Sequence, residues 1–252
     1  MTRSPEIQVF SNLADLFKAG ADDFAALANA AIESKGSFSV ALSGGSTPKG
    51  MYSLLATEYA TRVHWDKISF FWGDERHVPP DHQESNYRMA YESLLSKVNA
   101  KKENIYRVRA ENQNPELAAE DYEKTLRKYF GVKEEEFPRF DLVLLGMGQE
   151  GHTASIFPGT RAVLERHRLV VANWVEKFQT YRITFTIPVL NAAAAVIFMV
   201  TGKDKERAAA CVFDDKSAPQ QFPAKMVQPS DGKLIWLLDQ DAAGSLQRAA
   251  RP

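Results

Sequence analysis

The strongest constraint on this chain is a rhythm. Short apolar runs, "FSVAL", "KISFFW", "FDLVLLG", "AVIFMVTG" and "KLIWLL", alternate with longer stretches in which apolar residues recur at helical spacing. Apolar runs that short predict strands buried on both faces, and the helical stretches between them supply the crossovers that parallel pairing requires. "RLVVANWV" and "RITFTI" are read as strands of the same kind. The expected fold is α/β: a mostly parallel open sheet with helices on both faces, Rossmann-like, with "FSVAL" as the first strand. Leu13, Leu16, Phe17, Phe24, Leu27 and Ala28 predict a helix from Leu13 to Ser34 with Gly36 beyond its end. Further helices are expected after Ser85, after Pro115 and over "KDKERAAACVF". No repeat, low-complexity tract or long linker divides the sequence, so residues 1–252 are expected to form a single domain.

Charge narrows the partners. With 31 basic against 32 acidic residues and a net charge of -1, the chain carries neither a nucleic-acid footprint nor a basic membrane patch. The lone Cys211 excludes an internal disulfide, the first residues lack the apolar core of a signal peptide, and the run from Ala192 to Val200 is too short to span a bilayer. The expectation is a cytoplasmic protein, a monomer or small homo-oligomer, acting on a small molecule rather than on nucleic acid or membrane.

Ligands in open α/β sheets bind beyond the carboxyl ends of the strands. That directs attention to "LSGGSTP", "WGDERHVPP", "GMGQEGHTAS" and "TGKDK". In the first, Gly44 and Gly45 permit close approach of backbone to a ligand, Thr47 is a good N-cap and Pro48 suits a first helical position. Met51, Leu54, Leu55 and Tyr59 then mark the buried face of a helix whose free N–H groups point back into the loop, a setting for phosphate. The hydroxyls of Ser43, Ser46 and Thr47 add donors. The loop lacks the Gly-Lys-Ser/Thr of a nucleotide-triphosphate site, so a phosphate monoester fits it better.

Gly146, Gly148 and Gly151 match the dinucleotide fingerprint, but Pro158 and Gly159 interrupt the helix it requires and no acid follows at the ribose position. What remains is a glycine-rich turn presenting Glu150 and His152, a carboxylate able to orient an imidazole that can act as general base. In "WGDERHVPPDHQESNYR" the acids and histidines suggest a metal site, yet Pro79 and Pro80 prevent His77 and His82 from sharing a helical face, and no metal is expected. Arg76 there offers a fixed cation to an anionic substrate or a developing negative charge. Ser85 or Asn86 would cap a helix burying Met89, Tyr91 and Leu94. Arg182, opening "RITFTIPVLN", and Lys203, after Gly202, are candidates for a phosphate clamp.

With these loops in place the sequence closely resembles the 6-phosphogluconolactonases, within the superfamily that also holds the glucosamine-6-phosphate deaminases. The matching stretches are "LSGGSTP", "WGDERHVPPDHQESNYR", "LLGMGQEGHTASIFPG" and "RITFTIPVLNAAAAVIFMVTGKDK", in the family's order, across about two-thirds of the chain. Many members carry Asp where Glu150 stands. The resemblance implies hydrolysis of 6-phospho-D-glucono-1,5-lactone to 6-phosphogluconate, with His152 as general base, Glu150 orienting it, and Arg76 stabilising the oxyanion or holding the substrate. It further implies that Ser43, Gly44, Gly45, Ser46, Thr47, Arg182 and Lys203 anchor the 6-phosphate, that Asp74 bonds sugar hydroxyls, and that no cofactor takes part. An amino-sugar-6-phosphate deaminase or isomerase, using a carboxylate to move a proton at carbon 2, is one alternative. A non-enzymatic sugar-phosphate sensor is another, though one long helix ahead of "FSVAL" makes no helix-turn-helix.

Overall fold

The computed structural model describes residues 4–244 and 246. In chain order the elements are β1 (Glu6–Phe10), α1 (Leu13–Lys35), β2 (Phe38–Leu42), α2 (Ser46–Glu58), β3 (Ile68–Trp72), β4 (Asp74–Arg76), α3 (Asn86–Ala90) and α4 (Pro115–Phe130). They continue with β5 (Leu142–Leu145), β6 (Val170–Val175), β7 (Thr180–Phe185), α5 (Ile187–Asn191), β8 (Ala195–Val200), α6 (Glu206–Phe213) and β9 (Lys233–Asp239). Local chemistry sets the boundaries. Asn12 caps α1 by accepting from Asp15 N–H at 2.9 Å, and Gly36 ends it at φ 81°.

A six-stranded sheet runs in the order β1-β9-β8-β5-β2-β3, with every pair parallel. All residues of β2, β3, β5 and β8 are buried, which is why their sequences read as unbroken apolar runs. Successive residues of a strand face opposite sides, so Met199 and Leu237 point one way while Phe198 and Trp236 point the other. On the first side α1 comes so close that a Cβ at Gly20 would lie 2.9 Å from Met51 of α2 and 3.3 Å from Leu237. On the second, Phe198 stacks on Trp236 at 3.8 Å and Trp236 meets Phe213 of α6 at 5.0 Å. Helices therefore cover both faces. Among the described residues no helix is long and apolar enough to cross a membrane.

Three findings differ from the sequence expectation. The first strand is β1, not "FSVAL": Ile7 and Val9 stay exposed, and this edge strand is held by its ladder to β9 rather than by burial. Secondly, "RLVVANWV" and "RITFTI" do not join the parallel sheet. They become β6 and β7 of a separate antiparallel sheet of order β4-β7-β6, on which α4 packs. Their mixture of buried and half-exposed residues suits an antiparallel sheet with one face open. Arg182 consequently lies within β7 rather than opening a strand. Thirdly, α3 passes into a π-helical turn over Tyr91–Leu95, which shifts the buried face and leaves Tyr91 exposed while Leu94 is buried.

Aromatic side chains fasten α4 and the neighbouring loops to the second face. Phe71 of β3 stacks on Tyr106 at 4.8 Å and meets Tyr129 at 5.0 Å and Phe140 at 5.3 Å. Truncating Phe71, which is fully buried, should cost about 3 to 5 kcal/mol through lost burial and the cavity left behind. Urea unfolding of Phe71→Ala measures this directly.

Candidate active site

The carboxyl ends of β8, β5, β2 and β3 surround a cleft of about 260 Å³. The cradle follows β2. Gly45, at φ 109°, is the N-cap of α2, and helix begins at Ser46. Thr47 is therefore not the cap: it lies inside the first turn, and its hydroxyl meets that of Thr201, beyond β8, at 2.7 Å. Tyr52 of α2 locks the loop from below, its hydroxyl accepting from Ser43 N–H and donating to Ser43 C=O, both at 3.0 Å. Met51, Leu55 and Tyr59 are buried as expected, with Leu54 only partly so. Ser43 Oγ is buried at the cleft and has no hydrogen-bond partner among the described residues. Unpaired donors here converge on a helix start, the usual setting for a phosphate.

Across the cleft from the cradle stands His152. Its Nδ1 lies 3.0 Å from Glu150 Oε2, so the longer arm of Glu spans the gap. A carboxylate accepts only, so this contact puts the proton on Nδ1 and leaves Nε2 free to accept another. The ring stacks on Phe157 at 3.9 Å. Gly148 makes room for it: a Cβ there would sit 2.0 Å from the imidazole. The bond to His152 leads the forces that hold the Glu150 carboxyl well below the usual carboxylate range, and Lys177, 3.0 Å from Oε1, adds to it. After Gly151 the chain turns through Ser155 without forming a helix, so the glycine pattern is no dinucleotide site.

The small sheet supplies the remaining wall. Asp74 and Arg76 flank Glu75 on β4 and share a face, opposite Thr184 and Arg182 of β7. Asp74 accepts from Ser155 Oγ at 2.6 Å, and Arg76 Nη1 donates to Glu84 C=O at 2.7 Å. Arg182 is half-buried, its Nε without a partner among the described residues; burial, and then the Arg76 charge beside it, lower its pKa. Lys203 is placed elsewhere. Its ammonium is exposed and pairs with Glu206 at 2.7 Å, while Lys205, bonded to Asp204, lines the cleft. Arg182 is likewise not among the residues lining the cleft itself.

Sequence reasoning overlooked three contributors. Asn86 lines the cleft because Ser85, accepting from Arg88 N–H at 3.1 Å, takes the capping role and frees the Asn side chain. Lys205 stands in the quoted "TGKDK" but was masked by its neighbour. Thr201 carried no signal beyond its place at a strand end. His77 and His82 are engaged by loop backbone, and among the described residues no group of His, Cys, Asp or Glu is arranged to hold a metal.

Residues 11–236 match the family described as glucosamine-6-phosphate isomerases/6-phosphogluconolactonase. The chain belongs to that family. A 6-phosphogluconolactonase from Nostoc sp. is 46% identical over 216 residues, 86% of this chain and 88% of the relative. One from Synechocystis sp. is 44% identical over 217 residues, with the same coverage. The solved 6-phosphogluconolactonase from Trypanosoma cruzi superposes with a TM-score of 0.83 at 32% identity, covering 98% of each chain. A monomeric glucosamine-6-phosphate deaminase superposes with a TM-score of 0.79 at 20% identity over 95% of this chain and 99% of that one, a likeness of fold alone.

The closeness of Gly148 to the imidazole can be tested without any substrate. Wild-type protein should show the downfield proton NMR signal of a hydrogen-bonded histidine Nδ1–H. Gly148→Ala should lose it, because the added methyl group displaces the ring from Glu150. Persistence of that signal in the folded variant would contradict the geometry.

Proposed function

We propose that the chain hydrolyses 6-phospho-D-glucono-1,5-lactone to 6-phosphogluconate, as a carboxylic ester hydrolase of the oxidative pentose phosphate pathway. The observation that carries this reading is an imidazole, oriented by Glu150, facing a phosphate cradle across one small cleft. The relatives named 6-phosphogluconolactonase at 44% and 46% identity support it. The deaminase reading lacks such support.

In this reading His152 Nε2 takes a proton from water as the oxygen attacks the lactone carbonyl. Arg76 stabilises the tetrahedral oxyanion. When the bond from that carbon to the ring oxygen breaks, the imidazolium returns the proton to the ring oxygen, giving a hydroxyl and a carboxylic acid that then ionises. The cradle from Ser43 through Gly44, Gly45 and Ser46 to Thr47 holds the 6-phosphate, and Arg182 supports it from the small sheet. Lys205 replaces Lys203 as the second cation. Asp74 keeps acceptor capacity for sugar hydroxyls. Anchoring at the phosphate places the reacting carbon against the base, converting remote binding energy into positioning. No cofactor enters these steps.

A pH-stat assay on freshly made lactone, corrected for spontaneous hydrolysis, tests the reaction. His152→Ala should lower kcat by about a hundred- to ten-thousandfold while 6-phosphogluconate still binds. A folded His152→Ala protein with wild-type turnover would remove His152 as the base.

The two lysines give a second test. Lys205→Ala should raise KM by an amount corresponding to a charged hydrogen bond, about 1.5 to 3 kcal/mol. Lys203→Ala should leave KM near the wild-type value. The reverse result would return the clamp to Lys203.

A further inference from the structure

Glu75 takes no part in the steps above, yet it stands between Asp74 and Arg76, which both line the cleft. It is 2% exposed and makes no salt bridge among the described residues. Its Oε1 accepts from Asn86 N–H at 2.7 Å and Arg76 N–H at 2.8 Å, and its Oε2 from Tyr87 N–H at 2.8 Å and Ser85 Oγ at 3.1 Å. Burial pushes its carboxyl above the usual carboxylate range while those backbone bonds pull it down. A buried carboxylate without a cation is costly unless its acceptors are filled, and here they are.

We propose that Glu75 is a positioning residue that sets both ends of the cleft by clipping the start of α3 to β4. Strand alternation points its side chain away from the face that carries Asp74 and Arg76, so it cannot touch substrate. It acts through what it holds. The clipped segment brings Glu84 C=O to the Arg76 guanidinium at 2.7 Å. It also delivers Asn86, whose Nδ2 donates to Asp74 C=O at 2.9 Å. Asn86 in turn abuts the cradle so tightly that a Cβ on Gly44 would lie 1.8 Å from its Oδ1. One carboxylate thus fixes the group facing the carbonyl and the neighbour that shapes the phosphate loop. Only an acceptor can do this, because the four groups that converge on it all donate.

Glu75→Gln keeps the shape but turns an amide donor toward N–H groups. Misplacing reacting groups by about an ångström costs about a hundredfold in rate, so kcat/KM should fall by about ten- to a hundredfold, with kcat lowered and KM raised together. Glu123→Gln is the control. That buried carboxylate holds Arg127, Arg168 and the Leu169 and Val170 N–H groups outside the cleft, so it should lose stability with kcat and KM unchanged. In an Asn86→Ala background, Glu75→Gln should cost less than in wild type, since part of its effect passes through Asn86. A folded Glu75→Gln protein with wild-type kcat and KM, or one costing the same in both backgrounds, overturns the role.

If Glu75→Gln does not fold, Ser85→Ala removes one of the same bonds and should lower kcat/KM several-fold; wild-type kinetics there overturn the role equally. The assay rests on the lactonase reading. Wild-type protein without turnover would sink that reading, whereas active wild type with an unchanged variant sinks only the role of Glu75. Calorimetric affinity for inorganic phosphate, expected to weaken in Glu75→Gln, carries the test independently of turnover, and an unchanged affinity counts against the role.

Discussion

The site exists because two neighbouring strands part company. β2 and β5 are paired only at Val40 with Leu142 and Ala41 with Val143, whereas β2 pairs with β3 along its whole length from Phe38 to Leu42. Beyond Ala41 and Val143 each strand follows its outer neighbour, β2 with β3 and β5 with β8. This is also where the order of the sheet reverses, since the chain leaves β2 toward β3 and returns through β5 toward β8. Parallel strands that diverge leave backbone groups at their carboxyl ends unpaired, and the loops there must satisfy them. Tyr52 on Ser43 C=O and Thr153 on Gly146 C=O are those satisfactions, at two residues that line the cleft.

Burial governed what the sequence made legible. Strands buried on both faces announce themselves as apolar runs, so β2, β3, β5 and β8 could be read directly, and so could the four loops beyond them. β1 and β4 could not. Glu and Gln interrupt the apolar residues of β1, and "DER" has no apolar residue at all; both are held by hydrogen bonds to a neighbour. β6 and β7 were legible as strands but not as a separate sheet, because pairing partners are a tertiary choice. The lysines show the same limit within a single turn. Lys203 and Lys205 stand two apart in a 3-10 turn entered from Gly202 at φ 101°. Three residues complete such a turn, so the two ammonium groups leave on different sides. Spacing alone cannot say which side is the cleft.

The small sheet carries a cost that a structural role does not explain. Arg76 and Arg182 face each other across β4 and β7, and like charges directly opposite destabilise a pair of strands. Burial of Arg182 adds to the penalty, and its Nε has no partner among the described residues. Asp74 on the same face offsets part of the repulsion, and the Glu84 carbonyl takes up one Arg76 donor. Phe178, whose ring centroid lies 5.4 Å from the Arg182 guanidinium carbon, takes up a further part. Local arrangements that work against stability concentrate at functional sites, and this one adjoins a cleft whose other wall already offers N–H groups.

The two sheets thus bring complementary chemistry to one place. The parallel sheet contributes fixed dipoles: a helix start at Ser46, a glycine turn at Gly148, hydroxyls at Ser43 and Thr201. Such groups bind an anion without needing a buried charge of their own. The antiparallel sheet contributes a full charge to the cleft, Arg76 of β4, and carries two more outside its lining, Arg182 of β7 and Lys177 of the turn between β6 and β7. Glu150 joins the two, bonded on one oxygen to His152 and on the other to Lys177. The extra methylene of Glu relative to Asp matters there, because one carboxylate must reach the imidazole and the hairpin together. With both oxygens engaged, rotation of the carboxylate is opposed from two sides, and the imidazole it orients inherits that constraint.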